Sequence, residues 1–148
     1  DKGAITPRAQ LAAVVDEYAA ALGTGKGAAA PFAKDCSARE NGKPTSAGCA
    51  ASIDAGISAA VTVAREHRNL VVDEDQGLVL ALLATDHDGT AATVHLADGA
   101  AVNVPDAFRV PSTYYEPTLF KVQRGEIVRV ESLVRPVFYG LTPGWPAN

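Results

Sequence analysis

The stretch 120–145, FKVQRGEIVRVESLVRPVFYGLTPGW, restricts the fold of this chain more than any other segment. Apolar and polar residues alternate on both sides of Arg124-Gly125, which is typical of two half-buried strands joined by a tight turn. We expect these strands at Thr118–Val122 and Ile127–Arg135, followed by an aromatic tail bounded by proline and glycine. The chain is therefore predicted to end in an antiparallel hairpin.

The beginning of the chain predicts a long amphipathic helix. Thr6-Pro7 is a typical helix start, because a hydroxyl able to cap the first turn precedes a ring that is fixed at helical φ. Apolar side chains then recur at helical spacing and form one face: Leu11, Val14, Val15, Tyr18 and Leu22. Gly23 to Gly27 end this helix. A second helix is predicted from about Ser52 to Ala64, and Gly56 weakens it.

From Asn69 onward the apolar pattern changes from helical to extended. Strands are predicted at Pro31–Arg39, Leu70–Asp73 and Leu78–Thr85, and within TAATVHLA and AAVNV. Turns are predicted at 40–42, 74–77, 86–89, which contains His87, and 98–99. Two or three helices followed by a curved antiparallel sheet of about six strands make an α+β architecture, in a single domain that spans residues 1–148.

The composition excludes several classes of partner. The 148 residues include 13 Lys plus Arg and 17 Asp plus Glu, for a formal charge of −4, and the basic residues are scattered. A nucleic-acid partner is therefore not expected. No apolar run approaches the roughly 20 residues of a membrane-spanning helix, so no membrane partner is expected either. The chain begins at Asp1, which signal-peptidase cleavage would produce and which trimming would produce equally well.

The two cysteines, Cys36 and Cys49, flank a polar segment rich in turn-forming residues. A disulfide between them would close a loop of about 14 residues and stabilise the fold by ~3 kcal/mol in the chain-entropy model. The alternative is two buried reduced thiols in a cytosolic protein, since the spacing matches neither a CxxC redox motif nor a zinc site. We expect the disulfide and a secreted or extracytoplasmic protein, while a cytoplasmic location stays open.

Three segments in combination resemble a known family: the stretch 120–145, DCSARENG at 35–42 and REHRNLVVDEDQGLV at 65–79. They are similar to the SnoaL-like branch of the nuclear-transport-factor-two-like superfamily, whose members are small α+β cones that often hold an apolar pocket. The resemblance covers residues 32–145. It implies a cone-shaped sheet packed on the first helix, a small apolar molecule as ligand, and pairing of exposed strands into a homodimer.

The resemblance leaves the activity open, because this superfamily includes isomerases, cyclases, dehydratases, hydrolases and non-enzymatic binders. The catalytic sets of its better-understood members, such as a Tyr/Asp pair for ketosteroid isomerisation, do not map onto this chain. Motifs for phosphate-bearing cofactors, nucleophile elbows and metal sites are absent from the sequence. We therefore expect no cofactor and no metal ion, and a pocket in which a carboxylate, histidine or tyrosine moves a proton.

Six residues are candidates for catalytic groups: Tyr18, Asp35, His67, His95, Tyr115 and Glu131. Tyr18 would donate a hydrogen bond to an oxyanion from the apolar face of the first helix, or would be a core aromatic. Asp35 would be a general acid or base if an apolar pocket raised its pKa, or else a solvated loop carboxylate. Strand alternation points His95 and Glu131 away from the core, so each reaches the pocket only if its strand is turned over or bulged.

Four residues are candidates for binding a ligand: Arg39, Arg68, Tyr114 and Trp145. Arg39 either pairs with neighbouring carboxylates or binds the ligand. His67 and Arg68 either satisfy the end of the second helix, with an Arg68–Asp73 pair, or line the pocket mouth and bind a carbonyl or acidic group. The aromatic rings either line the mouth, seal a subunit contact or pack against the fold.

The sequence leads to three hypotheses of function. The first is a cofactor-independent enzyme, of isomerase, cyclase or hydrolase-like chemistry, acting on an apolar carbonyl-bearing metabolite. The second is a secreted binding protein that holds a hydrophobic ligand in a closed or wholly apolar pocket. The third is a dimeric structural module whose cavity is filled by side chains. The polarity of the cavity floor distinguishes the first from the other two.

Overall fold

The computed structural model of this chain describes residues 5–45, 48–55, 58–65, 67–96, 98–142 and 144. Its two α-helices are α1 at Arg8–Thr24 and α2 at Gly48–Asp54. Its first five strands are β1 at Phe32–Glu40, β2 at Lys43–Pro44, β3 at Val63–Ala64, β4 at Arg68–Asp73 and β5 at Leu78–His87. The others are β6 at Thr93–His95, β7 at Ala101–Asn103, β8 at Ser112–Gln123, β9 at Glu126–Ser132 and β10 at Arg135–Phe138. The α+β class is confirmed.

Helix α1 forms where the apolar spacing predicts it, and its predicted face is buried against the sheet. The helix begins at Arg8, directly after the N-cap residue Pro7, and it has no side-chain cap from that residue. Instead the backbone N–H of Arg8 donates to Oε1 of Glu74 at 2.5 Å, so a carboxylate from the turn between β4 and β5 caps the helix. At the other end Gly25 takes the left-handed conformation, with φ of 60°, that closes many helices.

The main sheet of the described residues has eight strands and is open, and the order along its path is β2-β1-β9-β8-β5-β3. Strand β10 pairs with the beginning of β8, and β4 pairs with β5. The expectation of an antiparallel sheet holds for every pair except one, since β1 and β9 run parallel. Strand β1 lies between β2, its neighbour in sequence, and β9, which comes much later in the chain and runs parallel to it, so the sheet is mixed.

The second helix differs from the sequence prediction. It spans Gly48–Asp54 instead of continuing to Ala64, and a short 3-10 turn at Ser58–Ala60 and strand β3 follow it. Gly56, the residue that weakened the prediction, lies outside the described residues. The end of α2 is held by Asp54, whose Oδ1 accepts a hydrogen bond from the backbone N–H of Gly27 at 2.5 Å. A Cβ at Gly27 would collide with the carbonyl oxygen of Ala50, so glycine allows the close approach.

The hairpin β6–β7 forms a sheet of its own and its side chains are mostly exposed. Its turn is the predicted Asp98-Gly99.

The final hairpin differs from the sequence prediction in one respect, because the strand predicted to extend to Arg135 is divided into β9 and β10. In the described part of the chain no helix combines the length and apolar character needed to cross a membrane.

The core lies between α1, α2 and the inner face of the sheet. Its largest buried side chains come from α1, α2 and the three central strands: Leu11, Ile53, Val79, Phe120, Val122 and Ile127. A register shift opposite Lys121 and Val122 lets both Ile127 and Val130 of β9 point inward, although three residues separate them. Strict alternation from Val130 predicts that Val128 points inward and Ile127 outward; the bulge reverses this, so the prediction is wrong on that side of it.

Strand β5 is anchored on its outer face by a buried carboxylate. Asp86 is 5% exposed and accepts hydrogen bonds from Nε of Arg65 at 2.8 Å and from Oγ1 of Thr113 at 2.6 Å. Thr113 also accepts from the backbone N–H of Gly140 at 2.9 Å. Burial alone would raise the pKa of Asp86, but the hydrogen bonds from Arg65 and Thr113 and the charge of Arg65 outweigh it and lower that pKa. This network holds β5, β8 and the chain after β10 together.

The predicted disulfide is confirmed. Cys36 of β1 and Cys49 of α2 are joined with a Cα separation of 5.7 Å, and the bridge spans 13 positions of sequence. The bond therefore ties the short helix α2, which buries few residues of its own, to the edge of the sheet.

We expect the double substitution Cys36→Ser, Cys49→Ser to lower the free energy of unfolding by about 3 kcal/mol, because the unfolded chain regains the entropy of an open loop. Urea denaturation measures this loss. A matched control is available, since the chain has only these 2 cysteines: a reducing agent should lower the midpoint of the wild type and leave that of the double variant unchanged. Equal midpoints for wild type and variant without reductant would contradict the prediction.

We expect Asp86→Asn to lower the free energy of unfolding by about 2 kcal/mol at neutral pH, because Arg65 and Thr113 lose a charged acceptor. The pKa of Asp86 is lowered in the folded protein, so its contribution is present above the unfolded pKa and disappears as the pH falls through the folded value. The difference between variant and wild type should therefore shrink in acid.

The control for this prediction is Asp106→Asn, which breaks the exposed pair between Asp106 and Arg109. Exposed pairs of this kind contribute roughly 0–1 kcal/mol, so this variant should stay close to the wild type at every pH. If the two variants lose the same amount, or if the loss from Asp86→Asn is independent of pH, the anchoring role of Asp86 is wrong.

Candidate active site

A cavity of about 40 Å³ lies between α1, α2 and the inner face of the sheet. Its apolar walls come from helix and strand residues of the core, among them Leu22, Ile53 and Val130. Several of its polar groups come from helix α1 and the sheet: Tyr18 of α1, Arg39 and Glu40 of β1, His87 of β5, Tyr114 and Glu116 of β8, and Ser132 of β9. Space of this size holds about three water molecules, so the cavity accepts a small polar group rather than a whole large ligand.

Glu116 is the carboxylate that faces this cavity. It lies on β8 two residues before the buried Thr118, so strand alternation turns it to the inner face. Its Oε1 accepts a hydrogen bond from Oγ1 of Thr85 at 2.7 Å; the two residues are diagonal neighbours, since Glu116 stands opposite Leu83, two residues before Thr85. Burial raises the pKa of Glu116, and the nearby charge of Glu40 raises it further, against a smaller lowering by the Thr85 hydrogen bond. Glu116 is therefore a carboxyl group adapted to bind a proton.

Tyr18 is 6% exposed and its ring is fixed by two edge-to-face contacts. The centroids of the rings of Phe32 and Phe120 lie 6.0 and 4.9 Å from that of Tyr18. Burial raises the pKa of Tyr18, the negative charges of Glu116 and Glu40 raise it further, and a hydrogen bond with Ser132 lowers it in part. Its hydroxyl thus remains protonated at neutral pH and is a hydrogen-bond donor at the cavity.

His87 is the third titratable group of the cavity wall. It is 6% exposed, and its ring packs edge-to-face on Tyr114 with 4.7 Å between centroids. Its Nε2 lies 3.5 Å from Oγ1 of Thr85, and its Nδ1 is buried without a hydrogen-bond partner among the described residues. Burial lowers the pKa of His87, while the charges of Asp86 and Asp88 raise it in part. The ring is therefore neutral near neutral pH.

Three of the residues predicted from the sequence line this cavity: Tyr18, Arg39 and Tyr114. The other candidates lie elsewhere, and each position has a structural cause. Asp35 and Glu131 line an open groove of about 480 Å³ on the outer face, where Glu131 lies 3.9 Å from Arg129. This groove is larger than the inner cavity, but its charged groups are exposed to solvent, as charges on a sheet surface commonly are.

Two further candidates contact parts of the fold outside the cavity. Nε2 of His67 lies 2.9 Å from Oδ1 of Asp16, so His67 bridges the chain before β4 to helix α1. The hydroxyl of Tyr115 donates to the backbone carbonyl of Leu141 at 3.1 Å, because alternation turns Tyr115 to the outer face. Tyr115 therefore holds the segment after β10.

Of the three remaining candidates, two lie on strands and one lies outside the described residues. His95 is exposed on β6, in the separate hairpin. Arg68 begins β4, opposite Leu82 of β5. Trp145 lies outside the described residues. The catalytic and binding roles assigned to these residues from the sequence stay predictions.

Sequence reasoning did not select Glu116, Thr85 or Ser132, and it assigned His87 to a turn. For Glu116 and His87 the cause is strand length: β5 extends through His87, and β8 begins at Ser112 rather than Thr118. Had the predicted strands been extended by these residues, the alternation with Phe120 and Val79 would have placed Glu116 and His87 on the core face. Thr85 and Ser132 lay within predicted strands and were not singled out. Within the described residues no group of three or more His, Cys, Asp or Glu side chains is arranged to hold a metal ion.

Comparison with other proteins gives a family and a fold. Residues 5–134 match the family described as Domain of unknown function (DUF8021). AclR, a candidate hydroxylase from Streptomyces galilaeus, superposes with a TM-score of 0.59 at 12% identity, over 87% of this chain and 91% of that one. A candidate polyketide cyclase from Xanthomonas campestris pv. campestris superposes with a TM-score of 0.53 at 21% identity, over 85% of this chain and 90% of that one.

A SnoaL-like polyketide cyclase from Agrobacterium tumefaciens superposes with a TM-score of 0.42 at 19% identity, over 86% of each chain. None of the curated proteins matches this sequence. The first two superpositions confirm the α+β fold that the resemblance of the sequence predicted.

We expect Glu116→Gln to stabilise the protein at neutral and alkaline pH by about 1 kcal/mol, a common size for substitutions that relieve a strained functional site. The amide oxygen keeps the hydrogen bond from Thr85 while the buried charge is removed. The folded pKa of Glu116 is raised, so the cost of its ionisation is absent below the unfolded pKa and complete once the pH exceeds the folded value. Thermal unfolding across this range measures the difference.

In acid the variant and the wild type should be equally stable, because Glu116 is then protonated in both the folded and the unfolded wild type. Glu126→Gln is the control, since Glu126 is exposed at the β8–β9 turn. It should show no comparable gain as the pH rises. A loss of stability in Glu116→Gln at alkaline pH would show that the charge of Glu116 is stabilised in the folded protein and would contradict this account of the cavity.

Proposed function

The chain belongs to the family described as Domain of unknown function (DUF8021), and we propose that it is a cofactor-independent enzyme acting on an apolar molecule that bears a carbonyl group. The observation that carries this proposal is the set of three titratable side chains around one sheltered cavity. Glu116, His87 and Tyr18 face the same space of about 40 Å³ from three different elements. Active sites commonly bring such groups together with shifted pKa values.

Two of these groups have complementary roles in the movement of a proton. Glu116 has a raised pKa, which suits a carboxylate that holds the proton removed from carbon and later returns it. Tyr18 remains a neutral phenol and donates a hydrogen bond to the oxygen on which negative charge develops. The step breaks a C–H bond next to the carbonyl, its electron pair forms the enolate, and the proton is carried by the enzyme. Return of the proton to another atom is isomerisation, and attack by the enolate carbon on a second carbonyl is cyclisation.

The walls of the cavity define the class of substrate. Carbons of Leu22, Ile53 and Val130 surround the polar groups, so the part of the substrate beside the carbonyl is apolar. A cavity of this volume receives the reacting end of the molecule, while the rest extends toward the other lining residues, which include Arg39 and Tyr114. We assign these two residues to binding. A candidate polyketide cyclase has a similar fold, which supports chemistry of this kind on a cone.

The two alternative functions fit the cavity less well. A protein that only stores a hydrophobic ligand needs an apolar interior, and burying a carboxyl group and an imidazole there would cost stability without use. A purely structural module needs a filled interior. Exposed Leu119 and Leu133 on the outer face are suited to a homodimer contact, which stays a prediction and is compatible with the enzyme. The disulfide favours a secreted or extracytoplasmic location.

Hydrogen exchange next to a carbonyl tests the proposal without knowledge of the natural product. The protein is incubated in D₂O with a panel of small apolar ketones and 1,3-dicarbonyl compounds, and loss of the α-proton signal is followed by NMR. We expect catalysed exchange for at least one compound. Glu116→Gln should lower the rate by roughly 10²–10⁴-fold, the usual contribution of a positioned acid or base. Tyr18→Phe should lower it by roughly 10²-fold, as loss of one oxyanion donor does.

Glu126→Gln, which changes an exposed carboxylate of the same type, should exchange at the wild-type rate. Two results would remove the basis of the proposal. One is exchange that survives Glu116→Gln unchanged. The other is a ligand bound in the cavity whose affinity is unaffected by Glu116→Gln, His87→Gln and Tyr18→Phe, without exchange of any compound in the panel.

A further inference from the structure

The two ring nitrogens of His87 have different surroundings, and this difference carries an inference about how the proton travels. Nε2 faces the hydroxyl of Thr85 at 3.5 Å, whereas Nδ1 is buried without a partner among the described residues, and His87 is one of the residues that line the cavity. A buried imidazole nitrogen without a partner costs stability unless a ligand supplies one. Nδ1 is thus the ring nitrogen of His87 that no described group of the protein satisfies.

Thr85 stands between His87 and Glu116. Its single hydroxyl is 2.7 Å from Oε1 of Glu116 and 3.5 Å from Nε2 of His87. The second distance is long for a hydrogen bond, as such contacts often are in free enzymes before the substrate tightens them. One hydroxyl donates one hydrogen and accepts another, so the three groups form a chain with a direction.

This chain has two complete arrangements. When Glu116 is ionised, Thr85 donates to it, Nε2–H of His87 donates to Thr85, and Nδ1 is an acceptor. When Glu116 is protonated, it donates to Thr85, Thr85 donates to Nε2, and Nδ1 carries the hydrogen. The imidazole is neutral in both arrangements, which agrees with its burial. The two arrangements differ by the position of every proton along the chain and by the charge of Glu116.

We propose that His87 is the group that takes the proton from the substrate and that Thr85 is a positioning residue that passes a proton on to Glu116. In this step the substrate C–H bond breaks and Nδ1–H forms. At the same time Nε2 gives its proton to Oγ1 of Thr85, and Oγ1 gives its own to Oε1 of Glu116. The negative charge of Glu116 is replaced by that of the enolate, so protons and charge balance. The proposal rests on the proposed function and deepens it.

The charges around the chain of groups favour this route. Glu40 of β1 and the hydroxyl of Tyr18 of α1 face Glu116, and Tyr114 of β8 faces the His87 ring. Asp86 of β5 and Asp88, directly after the end of that strand, flank His87 along the chain. Arg39 also lines the cavity, from β1. The negative groups near Glu116 favour its protonated form once the proton has arrived. We therefore expect the substrate to be a neutral carbonyl compound with an acidic hydrogen, because the carboxylates around the cavity would repel an anion.

The tautomer of His87 tests the proposal directly and requires no substrate. Long-range ¹H–¹⁵N correlation spectra of the labelled full chain distinguish Nδ1–H from Nε2–H in neutral imidazole. The chain has 3 histidines, so single His→Gln variants assign the signals. We expect the ratio of the two tautomers of His87 to invert as the pH rises through the pKa of Glu116, from mainly Nδ1–H to mainly Nε2–H, while His95 on the separate hairpin shows no such inversion.

Two substitutions should abolish this inversion by different routes. Glu116→Gln removes the group whose protonation sets the direction, and Thr85→Val removes the hydroxyl that transmits it. Thr85→Ser restores the hydroxyl and should restore the inversion. The matched control is Thr118→Val, which removes another buried hydroxyl from the inner face; that hydroxyl bonds to the backbone carbonyl of Glu116 and to Ser132 rather than to the Glu116 carboxyl group. It should behave as the wild type.

In the exchange assay, Thr85→Val should lower the rate by roughly 10²-fold, and Thr85→Ser should recover most of it. A His87 tautomer that is the same at every pH in the wild type would overturn the proposal, and so would an inversion that survives in Thr85→Val. If Thr85→Val does not fold, Glu116→Gln alone decides between these outcomes. Exchange that needs Glu116 but not His87 would leave the proposed function standing with Glu116 as the direct base. If the tautomer of His87 inverts as expected but no compound of the panel exchanges, the proton chain stands and the proposed enzymatic function is wrong.

Discussion

The unbroken antiparallel ladder between β5 and β8 is the constraint on which the rest of the molecule depends. Its pairs run without a register shift from Leu78 opposite Lys121 to His87 opposite Ser112. Because side chains alternate strictly along both strands, this one register decides which groups enter the core and which face outward. A slip by one residue would exchange Glu116 and Thr85 with Tyr115 and the neighbouring outer residues, and the cavity would lose its carboxyl group.

The end of β5 shows how the same alternation serves two purposes. Asp86 points outward and is held by Arg65 and Thr113, while its neighbours Thr85 and His87 therefore point inward. The outer hydrogen bonds continue to the backbone of Gly140, in a segment beyond the residues 5–134 that match the family. A contact on the outside of the sheet thus fixes the direction of the imidazole on the inside.

The sequence was most informative where one periodicity extends over a long segment. Helix α1 was predicted well because Leu11, Val15 and Leu22 mark one face over several turns, and the resemblance of three segments predicted the cone. It was least informative where the pattern is interrupted. The bulge opposite Val122 changes the face of β9 between Ile127 and Val130, and no residue type at that point announces it. Glu116 was missed because proline usually marks a strand boundary, so the predicted strand began after Pro117. In the structure β8 continues through Pro117 and includes Glu116.

The inner cavity carries a cost that the outer contacts offset. Its walls keep Glu116, His87 and Tyr18 away from water, although each would be more favourably solvated outside. A chain of this size has a small margin of stability, so groups of this kind persist only where other contacts compensate. The disulfide ties α2, which contributes Ile53 to the cavity wall, to β1, and the Asp86 network holds β5 against β8, through bonds that use no atom of the three titratable groups. The stability of the cone and the chemistry assigned to its interior are thereby carried by different residues, which allows each to be changed without the other.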